Sequence, residues 1–584
     1  MTIAYPKPHP PSPAPAGTAI HKLIHTANSV LVQEAELHFH KGLKHDSDQS
    51  GRVDANSFKT LLTALNDHTP QAFQNIALGL GRKLINPQAG LAADREAVSG
   101  WLHKFAAAPE QSGHKKTTAA EMIELYWMAL LRDVSFEDYS TSPLAADAAA
   151  ELSALPLSVD PSSPSTNPSY VIRPVTPNGL FRGGDWTPSG NANLEHAGPY
   201  ISQFLWLDVP FGSLQTDQKE ARRDDHDYGI GGIPHLTVWA DWLEAQSGKN
   251  YSQNIIEGSA IDRRYIQNGG DLARYVHIDA LYEAYLNAAL ILLAAPNIKF
   301  DTGNPYTGTT FPKESPFGTF GGPHVLSIVC EVATRALKAV WYQKFIGQLR
   351  LRPEAYAGLV HRALHPSGLR ATEAKAALGD GLAVLESSKN SGGAVARIRT
   401  KNAALGADPK FDTYLLPMCF QEGSPTHPAY GAGHATVAGA CVTVLKAIFQ
   451  GTQTLKDAGI TPMKPDALGK KLVPLAAPES DTLTIGGELD KVASNIAIGR
   501  NLAGVHWRTD YTQSVLLGQR VATSVLYHHR RDYHERPWSL SYRSFGGKVV
   551  TIGQESVTYG GQTILDGDDD LDPAREAAQL AKIV

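Results

Sequence analysis

The chain has 584 residues, 42% of them hydrophobic and 19% charged, a composition that buries a sizeable core. Its formal net charge of -5 leaves no general basic excess to hold nucleic acid or an anionic membrane surface, so any anion site must be local. No uninterrupted apolar run reaches the roughly 18 residues of a bilayer-spanning helix, and the best candidate, 288–295, reads as a buried helix segment.

The opening, MTIAYPKPHPPSPAPAG, is dense in proline and predicts an extended arm over residues 1–20. It lacks the basic start and apolar stretch of a secretory signal. Three cysteines (Cys330, Cys419, Cys441) form an odd, sparse set without metal-ligand spacing, so no disulfide framework is expected and a cytoplasmic location fits. Apolar residues at three- and four-residue spacing predict helices around 58–66, 117–132 and 144–154. Residues 155–168, rich in Pro and Ser, read as a connector, and 169–235 as loop-rich. Three strong helices follow: 271–295, with Asp271 as an acidic N-cap candidate and Pro296 as the stop; 324–349; and 433–449, small and apolar nearly all round. A fourth covers 510–528. The tail 546–559 alternates Val and Ile with polar residues and predicts a small hairpin, and the acidic run 566–572 a solvated turn. The expected fold is all-α, packed helical bundles with minor β-hairpins. Residues 1–20 would be the arm, 21–320 a helical part with a loop-rich insertion, and 321–584 a second helical part with a short β tail, all one continuous unit.

Three blocks carry chemistry. In WYQKFIGQLRLRP, Lys344 falls near the end of a long helix and Arg352 precedes a proline that pushes it out of helix geometry. A compact ammonium and a planar guanidinium from such a junction can meet in one pocket, although basic residues at helix C-termini also serve the macrodipole. In SPTHPAYGAGH a glycine-rich turn enters an apolar helix near His434, where backbone N–H groups bind anions and the imidazole can exchange a proton. His427 sits in a turn facing the same entry; the ordinary alternative is a loop-to-helix junction whose histidines cap or pack. In GRNLAGVHWRTD, Gly504 can bend the backbone so that Arg500 and His506 face one site, with Asp510 four residues on to fix the His506 tautomer. A salt-bridged surface turn would read the same way. Together the blocks supply cations, a backbone cradle, an acid/base and a nitrogen nucleophile or ligand, which suits a tetrahedral oxyanion such as phosphate or vanadate.

The order and spacing of these blocks, with the text of 324–344 and HPAYGAGHAT, resemble the vanadium-dependent haloperoxidases, particularly the bromoperoxidases of red algae and their cyanobacterial relatives. Their anion site is shared with type 2 phosphatidic acid phosphatases and bacterial acid phosphatases. The eight-residue step from Lys344 to Arg352 resembles the algal spacing, where the phosphatases and fungal chloroperoxidases have seven. The resemblance implies that His506 bonds vanadium, that Lys344, Arg352, Arg500 and the Gly433 N–H hold the vanadate oxygens, and that His434 is the acid/base. It implies that Lys344 also polarises hydrogen peroxide toward halide attack. Ala432 stands where the family has a serine before Gly433, which removes one vanadate hydrogen bond, and Gly499 precedes Arg500 where many relatives carry serine. His427, where chloroperoxidases carry an aromatic residue, favours bromide, with iodide accessible.

The implied partners are hydrogen peroxide, bromide and small organic acceptors, in a homo-oligomer, dimer or larger shell. Red algal relatives hold structural calcium, for which 300–314, with Asp301 and Glu314, is the candidate stretch. The rival reading is a soluble acid phosphatase in which His506 attacks phosphorus and His434 protonates the leaving group.

Overall fold

In a computed structural model the described residues are 22–23, 34–92, 106–155, 175–182, 197–222, 234–251, 262–309, 311–530, 532–535, 537–566 and 573–583. The proline-rich arm, the connector beyond Leu155 and the acidic run 567–572 lie outside them.

Helix α1, Ala55–Asp67, begins where the Asp54 carboxylate accepts the Ser57 N–H at 2.7 Å. It buries Phe58, Leu61, Leu62 and Leu65 in a small cluster with Phe39, Phe345 and Leu349. Helix α2, Lys115–Leu131, is buried on nearly every side and takes Glu121 and Glu124 inside with it. Burial of that kind requires partners for both carboxylates. Helix α3, Pro143–Ala154, is capped by Ser142.

The expected single helix over 271–295 is two. Helix α4 spans Gly269–Tyr275 and α5 spans Glu283–Ala294. The N-cap is Asn268, whose side chain accepts the Asp271 N–H at 2.9 Å, so Asp271 is inside the first turn rather than before it. Between the two helices the chain turns at Val276, whose carbonyl is taken by Arg500 at 2.6 Å. A tertiary bond thus ends a helix that the local pattern would continue.

Helix α6, Gly322–Tyr342, was expected to run on to residue 349; it passes instead into a wider π-turn, Gln343–Gln348, and closes on Leu349 in the left-handed region at φ 48°. Helix α7, Pro353–Leu364, follows at once. Helices α8, Gly433–Ile448, α9, Ile485–Leu502, and α10, Arg508–His529, complete the centre. α8 is enclosed by α6, α9 and α10, and its crossing with α10 is set by glycines. A Cβ on Gly518 would lie 2.0 Å from the Thr436 carbonyl oxygen, and one on Gly439 2.1 Å from that of Val515. One continuous apolar cluster extends from Leu37 to Ile583.

The predicted hairpin is part of a larger element, a four-stranded antiparallel sheet of Ser539–Arg543, Val549–Gly553, Ser556–Tyr559 and Gln562–Asp566, paired in chain order. Its inward residues Leu540, Tyr542, Val550, Ile552 and Val557 are buried, so the alternation read correctly but started too late. Among the described residues no helix is long and apolar enough to cross a membrane. Cys330, Cys419 and Cys441 carry free thiols.

Candidate oxyanion site

Five elements bring their ends to one buried place. Lys344 lies in the π-turn after α6, fully buried, and its Nζ donates to the carbonyls of Pro428 at 2.9 Å and Ala429 at 3.4 Å. Arg352 is held extended before Pro353 at φ -78°, ψ 150°. Its guanidinium donates to the His427 carbonyl at 2.9 Å, His427 Nδ1 at 2.9 Å, the Val505 carbonyl at 2.7 Å and His506 Nε2 at 3.1 Å. Arg500, in the last turn of α9, gives one N–H to Val276 and keeps a buried Nε with no partner. All three cations lean on backbone carbonyls, and among the described residues none is paired with a carboxylate.

His427 Nδ1 stands between the Arg352 guanidinium at 2.9 Å and the Pro428 carbonyl at 3.2 Å. Because a guanidinium only donates, His506 Nε2 must accept, and its proton sits on Nδ1, 2.8 Å from Asp510 Oδ2. His506 therefore presents a lone pair inside the cationic cluster. Burial first, and then the charges of Arg352, Lys344 and Arg500, push His506 well below the usual histidine range, so it is neutral. His427 is depressed for the same reasons, with Lys344 its strongest charged neighbour. Burial, reinforced by Arg352 and Arg500, drives Lys344 well below its ordinary value, and burial brings Arg352 down to about 9. Like charges gathered in the core make this a place that favours an anion.

The start of α8 faces that place. Ala432, the N-cap, offers no side-chain bond to the first turn, and Thr436 is the first residue whose N–H bonds back, to the Ala432 carbonyl at 3.0 Å. The Gly433, His434 and Ala435 N–H groups are the helix-start donors that bind anions. A Cβ on Gly433 would make ordinary contacts, 3.5 Å from Trp341 and 3.6 Å from Leu337, so the glycine is not demanded by space. An orphaned Arg500 Nε, an uncapped helix start, unpaired cations and a histidine lone pair form a donor set that fits a tetrahedral oxyanion carrying a metal centre that accepts nitrogen.

Two residues at this site escaped the sequence reading. Asp279, in the break between α4 and α5, bonds His434 Nε2 at 2.9 Å. Burial works to raise this carboxyl, but His434 and Arg500 hold it below its ordinary range; burial pushes His434 down, with the Asp279 charge opposing. Nothing in the local pattern separated Asp279 from a helix interior. The other, behind the site rather than in it, is Arg350, which bonds the Asp510 carboxylate that holds His506. All the predicted residues, Lys344, Arg352, His427, Gly433, His434, Arg500 and His506, are brought to this one region. By contrast, Asp301 is engaged in a turn with the Gly303 N–H at 2.9 Å, and Glu314 is exposed. Among the described residues no group of three His, Cys, Asp or Glu side chains could hold a metal ion on its own.

Comparison with known proteins bears on the same region. Residues 394–535 match a family described as "VCPO second helical-bundle domain". The chain is 34% identical over 574 residues to a vanadium-dependent bromoperoxidase of Corallina pilulifera, covering 88% of this chain and 90% of that protein. It is 30% identical over 525 residues to one of Ascophyllum nodosum, covering 88% and 86%. A homohexameric structure of the second vanadate-dependent bromoperoxidase of Ascophyllum nodosum superposes with a TM-score of 0.74 at 25% identity, over 91% of this chain and 88% of that one. With a helical fold shared nearly end to end and the oxyanion donors gathered at the start of α8, the chain belongs to the vanadium-dependent bromoperoxidase family.

Proposed function

We propose that the chain oxidises bromide with hydrogen peroxide in a vanadate-dependent reaction: peroxide, bromide and a proton give hypobromous acid and water. The observation that carries this reading is the His506 lone pair, fixed by Asp510 and Arg352, standing among three cations that have no carboxylate of their own. When bound, vanadate supplies the Lewis acid that makes peroxide electrophilic toward halide. The chain's part is to hold and to move protons. Lys344, Arg352, Arg500 and the N–H groups beginning at Gly433 bind the oxyanion, and His506 Nε2 supplies the nitrogen ligand. His434 takes the peroxide proton on Nδ1, because Nε2 is committed to Asp279. Lys344 stands ready to donate to peroxide, and His427, held beside Arg352, borders the place where halide attacks.

Iodide, a softer halide, is a further substrate in this reading, and the hypohalous acid passes to small organic acceptors. A homo-oligomer is supported by the homohexameric relative. Structural calcium, with Asp301 and Glu314 as the candidate ligands, is a further part of this reading.

The test is bromination of a phenol-type dye by protein freed of oxyanion, given bromide and peroxide, before and after orthovanadate, with phosphate as competitor. Activity that needs vanadate and bromide and is suppressed by phosphate is expected. Release of phosphate from a simple monoester, with no bromination, would overturn the reading in favour of a phosphatase.

A further inference from the structure

Outside the oxyanion site the most heavily built polar cluster surrounds Arg350, which is completely buried. All five of its N–H groups are used. Nε and Nη2 form a fork on Glu110 at 2.9 and 3.1 Å; Nη2 also reaches Glu121 at 3.0 Å; Nη1 reaches Thr509 Oγ1 at 2.7 Å and Asp510 Oδ1 at 2.8 Å. The rings of Trp507 and Tyr430 lie 4.9 and 5.4 Å from the guanidinium. Glu121 has a second task, accepting the Thr509 N–H at the start of α10 at 2.7 Å. The other oxygen of Asp510 is the one that holds His506 Nδ1–H, and it also accepts the Trp507 N–H at 2.9 Å.

Every member of this chain is fixed from both sides, and its end is the imidazole. Rotating Asp510 to abandon His506 would cost its bonds to Arg350 and Trp507. Rotating Arg350 would cost its fork on Glu110 and its bond to Glu121. Resting on the functional reading above, we propose that Arg350, braced by Glu110 and Glu121, is the positioning residue for the vanadium ligand. It locks Asp510 so that His506 keeps its proton on Nδ1 and aims its Nε2 lone pair into the site. The N-terminal half of the chain thereby takes part in cofactor binding without touching the cofactor. Partners of this kind behind a metal-ligating histidine change metal affinity by about 10- to 100-fold when lost.

The experiment exploits the difference between two anions of one shape. Vanadate gains from a bond to His506, whereas inorganic phosphate, bound by the same cations and N–H groups, does not. Equilibrium binding of orthovanadate and of phosphate is measured on the full-length chain freed of oxyanion, with Arg350→Lys and Glu121→Gln as variants. The expected result is that Arg350→Lys weakens vanadate at least about tenfold and phosphate less than about twofold. Glu121→Gln should move in the same direction by a smaller factor, and it carries the test if Arg350→Lys does not fold. Equal weakening of both anions, or unchanged vanadate binding, would overturn the proposal and leave Arg350 a packing element. If the unmodified chain itself fails to prefer vanadate over phosphate, it is the functional reading that falls.

Discussion

At the scale of the single residue, the pairing of His434 with Asp279 decides how a proton is handled. Burial depresses the imidazole and the carboxylate opposes that depression. Replacing Asp279 with Asn removes the opposing charge, so His434 should fall further and the acid limb of the kcat/KM profile should move to lower pH. Turnover should drop about tenfold, because the ring also loses its orienting partner. A pH–rate profile of Asp279→Asn checks both, and an unmoved acid limb would mean that another group titrates. The residues that touch the oxyanion were legible in the sequence, because charge type and spacing encode them: Lys344 and Arg352 flank a helix break at a proline, and His506 and Asp510 stand one helical turn apart. Asp279 and Arg350 were not legible, because what defines them is a partner 155 or 160 residues away rather than a neighbour in the chain.

At the scale of elements, the placing of α8 depends on its contact with α10. A methyl on Gly518 would press on the Thr436 backbone, which cannot give way as a side chain can. Gly518→Ala should therefore destabilise by about 3 kcal/mol in urea unfolding and weaken vanadate binding as well, since α8 carries the helix-start donors. Gly308→Ala, where an added methyl meets nothing within 4 Å, is the control and should stay within about 0.5 kcal/mol. Helices whose apolar periodicity was strong (α1, α3, α8, α10) were readable to within a few residues. Helices α7 and α9 were not read as helices at all, being buried all round without a one-sided apolar stripe, and elsewhere reading failed where tertiary bonds overrule the pattern. Arg500 takes the Val276 carbonyl and ends α4, and the π-turn after Tyr342 widens the helix at Lys344. The C-terminal sheet was read as a hairpin because its last strand lacks a clean alternation and its first, though it alternates, lies before the stretch that was read as strand.

At the scale of the whole molecule, acid should unfold this protein earlier than carboxylate chemistry alone would. His45 and His324 are pushed down to about 4 and His361 to about 3, burial being the leading cause in each. An unfolded histidine titrates near 6.5. Between about pH 4 and 6.5 the unfolded chain therefore binds more protons, so the stability these groups confer is full above 6.5 and is lost as pH falls. Glu121, pushed up to about 7 by burial, works in the opposite sense: its contribution is full below the ordinary glutamate range and fades as pH rises through 7. Three histidines outweigh one glutamate, and the melting temperature should fall by roughly 5 °C from pH 6.5 to 5. Thermal melts across that interval check it, and a flat profile would show that these rings are not buried neutral.

The buried ion pair that ties α2 to α10 has a consequence for how the protein is made. Glu124 and Arg508 are 384 residues apart. At the usual pace of synthesis, about 5–20 residues per second, α2 leaves the ribosome roughly 20–80 s before its partner exists. Throughout that interval Glu121 and Glu124 are solvated carboxylates on a helix whose final place is wholly interior, and folding it inward would strand both charges. The cofactor-binding region is thus completed only when the last third of the chain has been translated, and a ribosome that stops short of α10 releases a product whose interior helix has nowhere to go.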